Sequence, residues 1–91
     1  MLSIPLSDLR LDSDPVGGGG YGDVYRAWCV SRDSWVAVKK LRVAVMNDAA
    51  LADFYAELSL LHSLPRHAHI VALLGYVVDK PTRSYLMALG Q

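Results

Sequence analysis

The 91 residues are 53% apolar and 20% charged, which suits one small domain with a modest core and much exposed surface. Nine basic residues balance nine acidic ones for a net charge of +0, and without a run of either sign a nucleic-acid groove or anionic membrane surface is disfavoured as the main partner. Cys29 has no second cysteine to pair with, Met1–Pro5 lacks the marks of a signal peptide, and apolar runs such as Ile70 to Leu74 fall far below the ~20 residues that span a bilayer, so a reducing, cytoplasmic setting is the default.

Residues 1–8 read as a lead-in. Leu9 to Ser13 then alternates apolar and polar side chains as a half-buried strand does. Four consecutive glycines, Gly17 to Gly20, follow. Asp23 to Val30 is rich in β-branched and aromatic residues, which predicts a second strand. Ser31 to Ser34 is a plausible hairpin connection into a third strand, Trp35 to Leu41.

From Asp48 the period changes. Leu51, Phe54, Tyr55, Leu58 and Leu61 recur at steps of three and four, placing them on one face of a helix. Asn47 or Asp48 can cap its start. Pro65 disfavours helical geometry in the residue before it, so the helix is expected to end near His62. Two more strands, Ile70 to Val78 and Ser84 to Leu89, are expected around a turn at Asp79 to Thr82. The predicted order is βββαββ, an α+β fold.

Gly17, Gly19 and Gly22 form a GxGxxG. Glycines let the backbone approach a phosphate closely and turn N–H donors toward it, but the motif alone does not separate a nucleotide loop from a flexible turn. Ordering Gly18 and Gly20 costs roughly 0.5–1 kcal/mol each beyond alanine, so an empty loop is expected to be loose. A Rossmann loop opens a helix, whereas Asp23 to Trp28 continues as a strand. A Walker A loop needs Lys and Ser or Thr directly after its last glycine, where Asp23 and Val24 stand.

Val16 to Tyr25, followed by Val36-Ala37-Val38-Lys39, resembles the first subdomains of protein kinases, with a glycine loop between antiparallel strands. The resemblance runs from about Leu9 to Gln91 and implies the kinase small lobe: a five-stranded antiparallel sheet with one αC-type helix, the catalytic lobe being absent. It implies ATP as ligand, with Gly17 to Gly20 and Gly22 over the phosphates and Tyr21 at the loop tip. Val16 and Val24 would contact adenine, and Ala37 would line its pocket.

Strand alternation independently sets Ala37 and Lys39 on one face of their strand and Val36 and Val38 on the other. Lys39 would contact the α- and β-phosphates; the plainer reading is a solvated lysine at a strand end, as Lys40 is expected to be. Glu57, the only glutamate, falls at the edge of the apolar stripe. It matches the place of the helix glutamate that pairs with the kinase lysine, against the plainer reading of a boundary glutamate.

His67 to Tyr76 is similar to the kinase run HPNIVxLLG, with Ala68 in place of proline and His69 in place of asparagine. His67 and His69 are read as turn histidines, because no further cysteine or clustered carboxylate completes a metal site. Met87 falls at or near the gatekeeper place, with Ala88, Leu89 and Gly90 entering the hinge. Ala88 stands where the family usually has a glutamate.

The lead Ile4 to Leu11 and the Val-Ala-Val-Lys-Lys-Leu run look most like tyrosine-kinase-like serine/threonine kinases. No HRD or DFG element occurs, so the chain alone is expected not to transfer phosphate, and Mg2+ and a protein substrate are expected only with the catalytic lobe. The alternative is a truncated, non-catalytic module that binds nucleotide weakly or binds a protein partner. A longer parent protein could be membrane-anchored.

Overall fold

The structure is a computed structural model that describes residues 3–20, 22–63 and 72–90. Strands β1 (Leu9–Leu11), β2 (Gly17–Gly18), β3 (Gly22–Cys29) and β4 (Ser34–Leu41) precede helix α1 (Asp48–Ser63), and β5 (Ala72–Asp79) and β6 (Ser84–Gly90) follow it. All pair antiparallel in one curled sheet of order β1-β3-β4-β6-β5, with β2 on the same edge of β3 as β1. The expected helix and five strands are therefore present, and β2 is an addition. It arises because the first leg of the glycine run keeps pairing with β3, through Gly17 to Val24 and Gly18 to Asp23.

The edge formed by β1 and β2 is interrupted. Leu11 pairs with Ala27 and Gly17 with Val24, so five residues on one side face two on the other. The ladder resumes with Val16 N–H donating to Val24 carbonyl at 2.7 Å. A smaller irregularity at Leu73 to Gly75 shifts the β5–β6 register by one residue, a bulge of the kind that bends a strand and increases its twist.

Two hairpins use the same turn. Residues 30–33 join β3 to β4, and residues 80–83 join β5 to β6. Each has a backbone bond closing the four residues, Asp33 to Val30 and Arg83 to Lys80, and each ends in a left-handed residue, Asp33 at φ 51° and Arg83 at φ 54°. This is a tight turn followed by one residue that restores the strand direction.

Alternation along the strands builds two cores. On one face Leu9, Ala27, Cys29, Val36, Val38, Leu74, Val77, Leu86 and Ala88 are buried, with Ile4, Leu6 and Leu11 packed against them. The lead-in supplies part of this cover. Ile4 N–H donates to Tyr76 carbonyl at the β5 edge, and a 3-10 turn at Leu6–Asp8 then delivers the chain to β1 at the opposite edge. Asp8 fastens that turn to the β3–β4 hairpin by accepting from Ser31 N–H at 2.8 Å and Ser31 Oγ at 2.6 Å, with the buried Cys29 thiol at 3.6 Å. These donors, led by the Ser31 hydroxyl, hold the Asp8 carboxyl below its ordinary value.

On the other face α1 packs through Ala50, Phe54 and Leu58 onto Leu41, Tyr85 and Met87. Asn47 is the N-cap, its Oδ1 accepting from Ala50 N–H at 2.8 Å, which satisfies one donor of the open first turn. The helix runs to Ser63, one residue past its expected end. Tyr55 was expected in the apolar stripe but is 44% exposed. With Phe54 at the stripe's centre the next residue is rotated by about 100°, so Tyr55 meets only the edge of the Phe54 ring, at 5.7 Å between centroids.

Candidate functional site

Lys39 lies in the middle strand of the sheet, on the face that α1 covers farther along. Cross-strand register places Gly17, Val24, Lys39, Met87 and Tyr76 in one row over β2, β3, β4, β6 and β5. Paired residues share a face, so Gly17 and Lys39 point to the same side, separated by two strand spacings of about 4.8 Å each. A group bound beneath the glycine leg therefore stands within reach of a lysine side chain.

The Lys39 ammonium donates to both oxygens of Glu57, at 3.1 Å to Oε1 and 3.0 Å to Oε2. Glu57 reaches it because it flanks the stripe set by Phe54 and Leu58, which presses α1 onto the sheet. The two side chains are 28% and 30% exposed, so the pair is neither sealed in the core nor free in water. Lys40, on the opposite face, is half-buried and borders a hollow of about 310 Å³ with Asp23, Tyr25 and Arg42.

Beside this row opens a cleft of about 530 Å³, lined by Val16, Ala37, Leu89 and Gly90, with Arg26 and Trp35 also in its wall. That volume lies within the range of small-molecule sites. Val16 is 71% exposed, an apolar side chain held over the cleft mouth rather than in the core. Val24 is half-buried in the Lys39 row. Met87 is fully buried between sheet and helix, behind the cleft rather than in its lining. Ala88, Leu89 and Gly90 continue β6 and pair with β5; the chain is still strand at the positions expected to enter the hinge.

The glycines divide into two groups. A Cβ on Gly22 would stand 2.9 Å from the Lys40 carbonyl oxygen, and one on Gly18 would stand 2.8 Å from Asp23 Oδ1. Those two are demanded by the chain's own packing. A Cβ on Gly17, Gly19 or Gly20 would meet nothing within 4 Å, and none of the described glycines adopts positive φ. Their lack of a side chain keeps space clear rather than solving a backbone problem. Tyr21 lies outside the described residues, as do His67, His69, Ile70 and Val71.

Two features of the site had no place in the reading of the sequence. Arg42, one residue past β4, donates through Nε and Nη2 to both oxygens of Asp23, at 3.0 and 2.9 Å, and through Nη2 to the carbonyls of Gly19 and Gly22, at 2.7 and 3.2 Å. The hydrogen bond from Arg42 holds the Asp23 carboxyl below its ordinary 3.8, and the same contact raises the Arg42 guanidinium. Arg26 lies 4.0 Å over the Trp35 ring while its Nε pairs with Asp12 at 2.9 Å. Register contains the signal for Arg42: once Gly22 pairs with Leu41, the next residue must lie beside the loop.

Among the described residues no group of three His, Cys, Asp or Glu side chains is disposed to hold a metal ion. No described helix is long and apolar enough to cross a membrane.

The protein kinase domain model matches residues 11–90. The receptor-like kinase TMK4 of Arabidopsis thaliana is 36% identical over 84 residues, covering 86% of this chain and 9% of its own length. The probable serine/threonine-protein kinase drkA of Dictyostelium discoideum is 39% identical over 67 residues, covering 72% of this chain and 10% of its own length. The receptor-like protein kinase ANXUR1 of Arabidopsis thaliana is 40% identical over 65 residues, covering 71% and 7%. The chain thus spans about a tenth or less of the length of these relatives. With the family model matched over nearly its whole length and a curled antiparallel sheet carrying one helix, the chain belongs to the protein kinase family and is a small lobe of that fold.

Proposed function

We propose that this lobe binds ATP, and that in a complete kinase it presents the nucleotide for phosphoryl transfer to serine or threonine of a protein substrate. The observation that carries the reading is the Lys39–Glu57 pair, held at 3.0–3.1 Å on the face and in the row of Gly17. Lys39 is the cation for the α- and β-phosphates, and Glu57 fixes its ammonium so that little side-chain freedom is lost when phosphate arrives. Gly17, Gly19 and Gly20 leave the phosphates room to approach the loop, since a side chain there would occupy open space. Adenine takes the cleft of Val16, Ala37 and Leu89, with Val24 beside it and the buried Met87 outside its lining.

ATP with Mg2+ supplies the transferable phosphoryl group and the charge neutralisation that the family's chemistry needs. The residues of this lobe hold, orient and partly shield the nucleotide. The catalytic base and the metal ligands belong to a catalytic lobe, so the 91 residues by themselves do not transfer phosphate. Serine or threonine as acceptor is favoured because relatives from two organisms are described as serine/threonine-protein kinases.

The test is calorimetric titration of Mg-ATP into the chain and into its Lys39→Ala variant. Binding by the parent chain and a loss of about tenfold or more in the variant is expected, as for removal of a charge-assisted contact. Equal affinity in both, or none in either, overturns the assignment.

A further inference from the structure

The hydrogen bonds that shape the glycine loop do not all come from the loop. Gly19 N–H donates to Gly22 carbonyl at 2.9 Å, which closes the loop on itself. Arg42, from the far end of the β3–β4 hairpin, bonds both the Gly19 and Gly22 carbonyls and grips Asp23 with two more hydrogen bonds. One guanidinium thus reaches both legs of the loop, and its planar fork suits a carboxylate and neighbouring carbonyls at once. Room for it is made by Gly18, where a Cβ would lie 2.8 Å from Asp23 Oδ1 and 3.4 Å from Arg42 Nη2. So one of the four consecutive glycines serves the brace and not the ligand.

We propose that Arg42 is a positioning residue for the nucleotide: through Asp23 and the carbonyls of Gly19 and Gly22 it holds the glycine loop in its binding shape before any ligand is present. This rests on the ATP-binding reading for its consequence, but the brace itself is a property of the empty chain. A run of four glycines left to itself samples many conformations, and each would have to be given up on binding. Arg42 removes that freedom in advance, using carbonyls at the loop's base and leaving the Cβ directions of Gly17, Gly19 and Gly20 open. The loop is then more ordered when empty than its composition suggests. Arg42 touches neither Lys39 nor Glu57 through any of these bonds, so its effect on the nucleotide is exerted through the loop alone.

The experiment follows amide hydrogen exchange of Gly18 to Asp23 by NMR in the 91-residue chain without nucleotide, then titrates Mg-ATP. Arg42→Ala is expected to speed exchange at the Gly19 amide about tenfold while amides of β5 and β6 keep their parent rates, and to weaken Mg-ATP severalfold. Arg42→Lys should not rescue, because one ammonium cannot form the two-oxygen grip and both carbonyl bonds. The nearly isosteric Asp23→Asn removes the ion pair without emptying space and should give an intermediate increase. Unchanged Gly19 exchange in both Arg42→Ala and Asp23→Asn, with β5 and β6 protected, overturns the brace. Faster exchange with unaltered Mg-ATP affinity overturns the positioning role. If the parent chain binds no Mg-ATP, the positioning role falls together with the ATP reading, while the exchange data still decide whether the brace exists.

Discussion

Lys39 and Glu57 lie 18 residues apart in the chain, yet both oxygens of the carboxylate are within 3.1 Å of the ammonium. That contact ties the central strand to the only α-helix among the described residues. Each side chain is under a third exposed, and a partly solvated ion pair contributes about 1 kcal/mol or less to folding. Glu57→Gln should therefore shift the urea midpoint only slightly while weakening Mg-ATP binding about three- to tenfold, because the ammonium loses its fixed position. A large loss of stability with unchanged nucleotide affinity would show the pair to be a structural tie.

The glycines make opposite predictions at neighbouring positions. Gly22→Ala drives a methyl group toward the Lys40 carbonyl at 2.9 Å and should destabilise the fold by about 1–3 kcal/mol, as overpacking against backbone does. Gly17→Ala meets no atom within 4 Å and should leave the unfolding midpoint nearly unchanged while reducing Mg-ATP affinity. Denaturation and titration of the two variants side by side check this. Similar stability losses in both would contradict the division of the glycines.

Acid should loosen the loop through Asp23. Arg42 holds its carboxyl below 3.8 in the folded chain, outweighing a partial desolvation that pushes it up. A depressed folded value means the contribution is present above the unfolded value and lost as pH falls through the folded one. The window thus opens near pH 3.8 and extends below it. Arg42, Lys40 and Tyr25 border the same hollow as the carboxylate. NMR shifts of the Gly19 and Gly22 amides should titrate with a midpoint below 3.8 in the parent chain and lose that transition in Asp23→Asn. A midpoint at or above 3.8 is the contrary result.

Arg83 ends the β5–β6 turn at φ 54°, a conformation that costs an L-residue with a side chain roughly 1–2 kcal/mol. Arg83→Gly relieves it at an entropic cost of about 0.5–1 kcal/mol. A net gain of about 0.5–1 kcal/mol is expected in thermal or urea unfolding. Asp33→Gly should gain less, since aspartate tolerates this region better. A loss of stability in Arg83→Gly would mean that the arginine side chain contributes more than its backbone costs.

The elements legible in the sequence were those set by local rules. Period two in Trp35 to Leu41 and steps of three and four from Leu51 to Leu61 each specify a face, and those faces bring Lys39 and Glu57 together. Asn47 as cap follows from local chemistry too. What could not be read depends on register between distant segments. Arg42 and Asp23 are 19 residues apart and belong together only because Gly22 pairs with Leu41. The short strand at Gly17–Gly18 is invisible to propensity, since glycine has little strand preference and pairs here because β3 offers a partner. Nothing local marks Trp35 and Arg26 as more than strand residues, although their stacking makes them part of the cleft wall. Tyr55 was misplaced because its spacing to Leu51 and Leu58 satisfies a helical period as well as that of Phe54 does.

The interrupted edge between β1 and β2 has a mechanical consequence. The unmatched stretch around Ser13, Asp14 and Pro15 separates two attachments: β1 is fastened into the core by Leu9, while the glycine leg hangs from β3 by its own bonds. Displacing the leg from β3 would have to break its bonds from Val16 to Gly19 and the Arg42 bond to the Gly19 carbonyl, while Leu9 kept its seat and the first strand its anchorage.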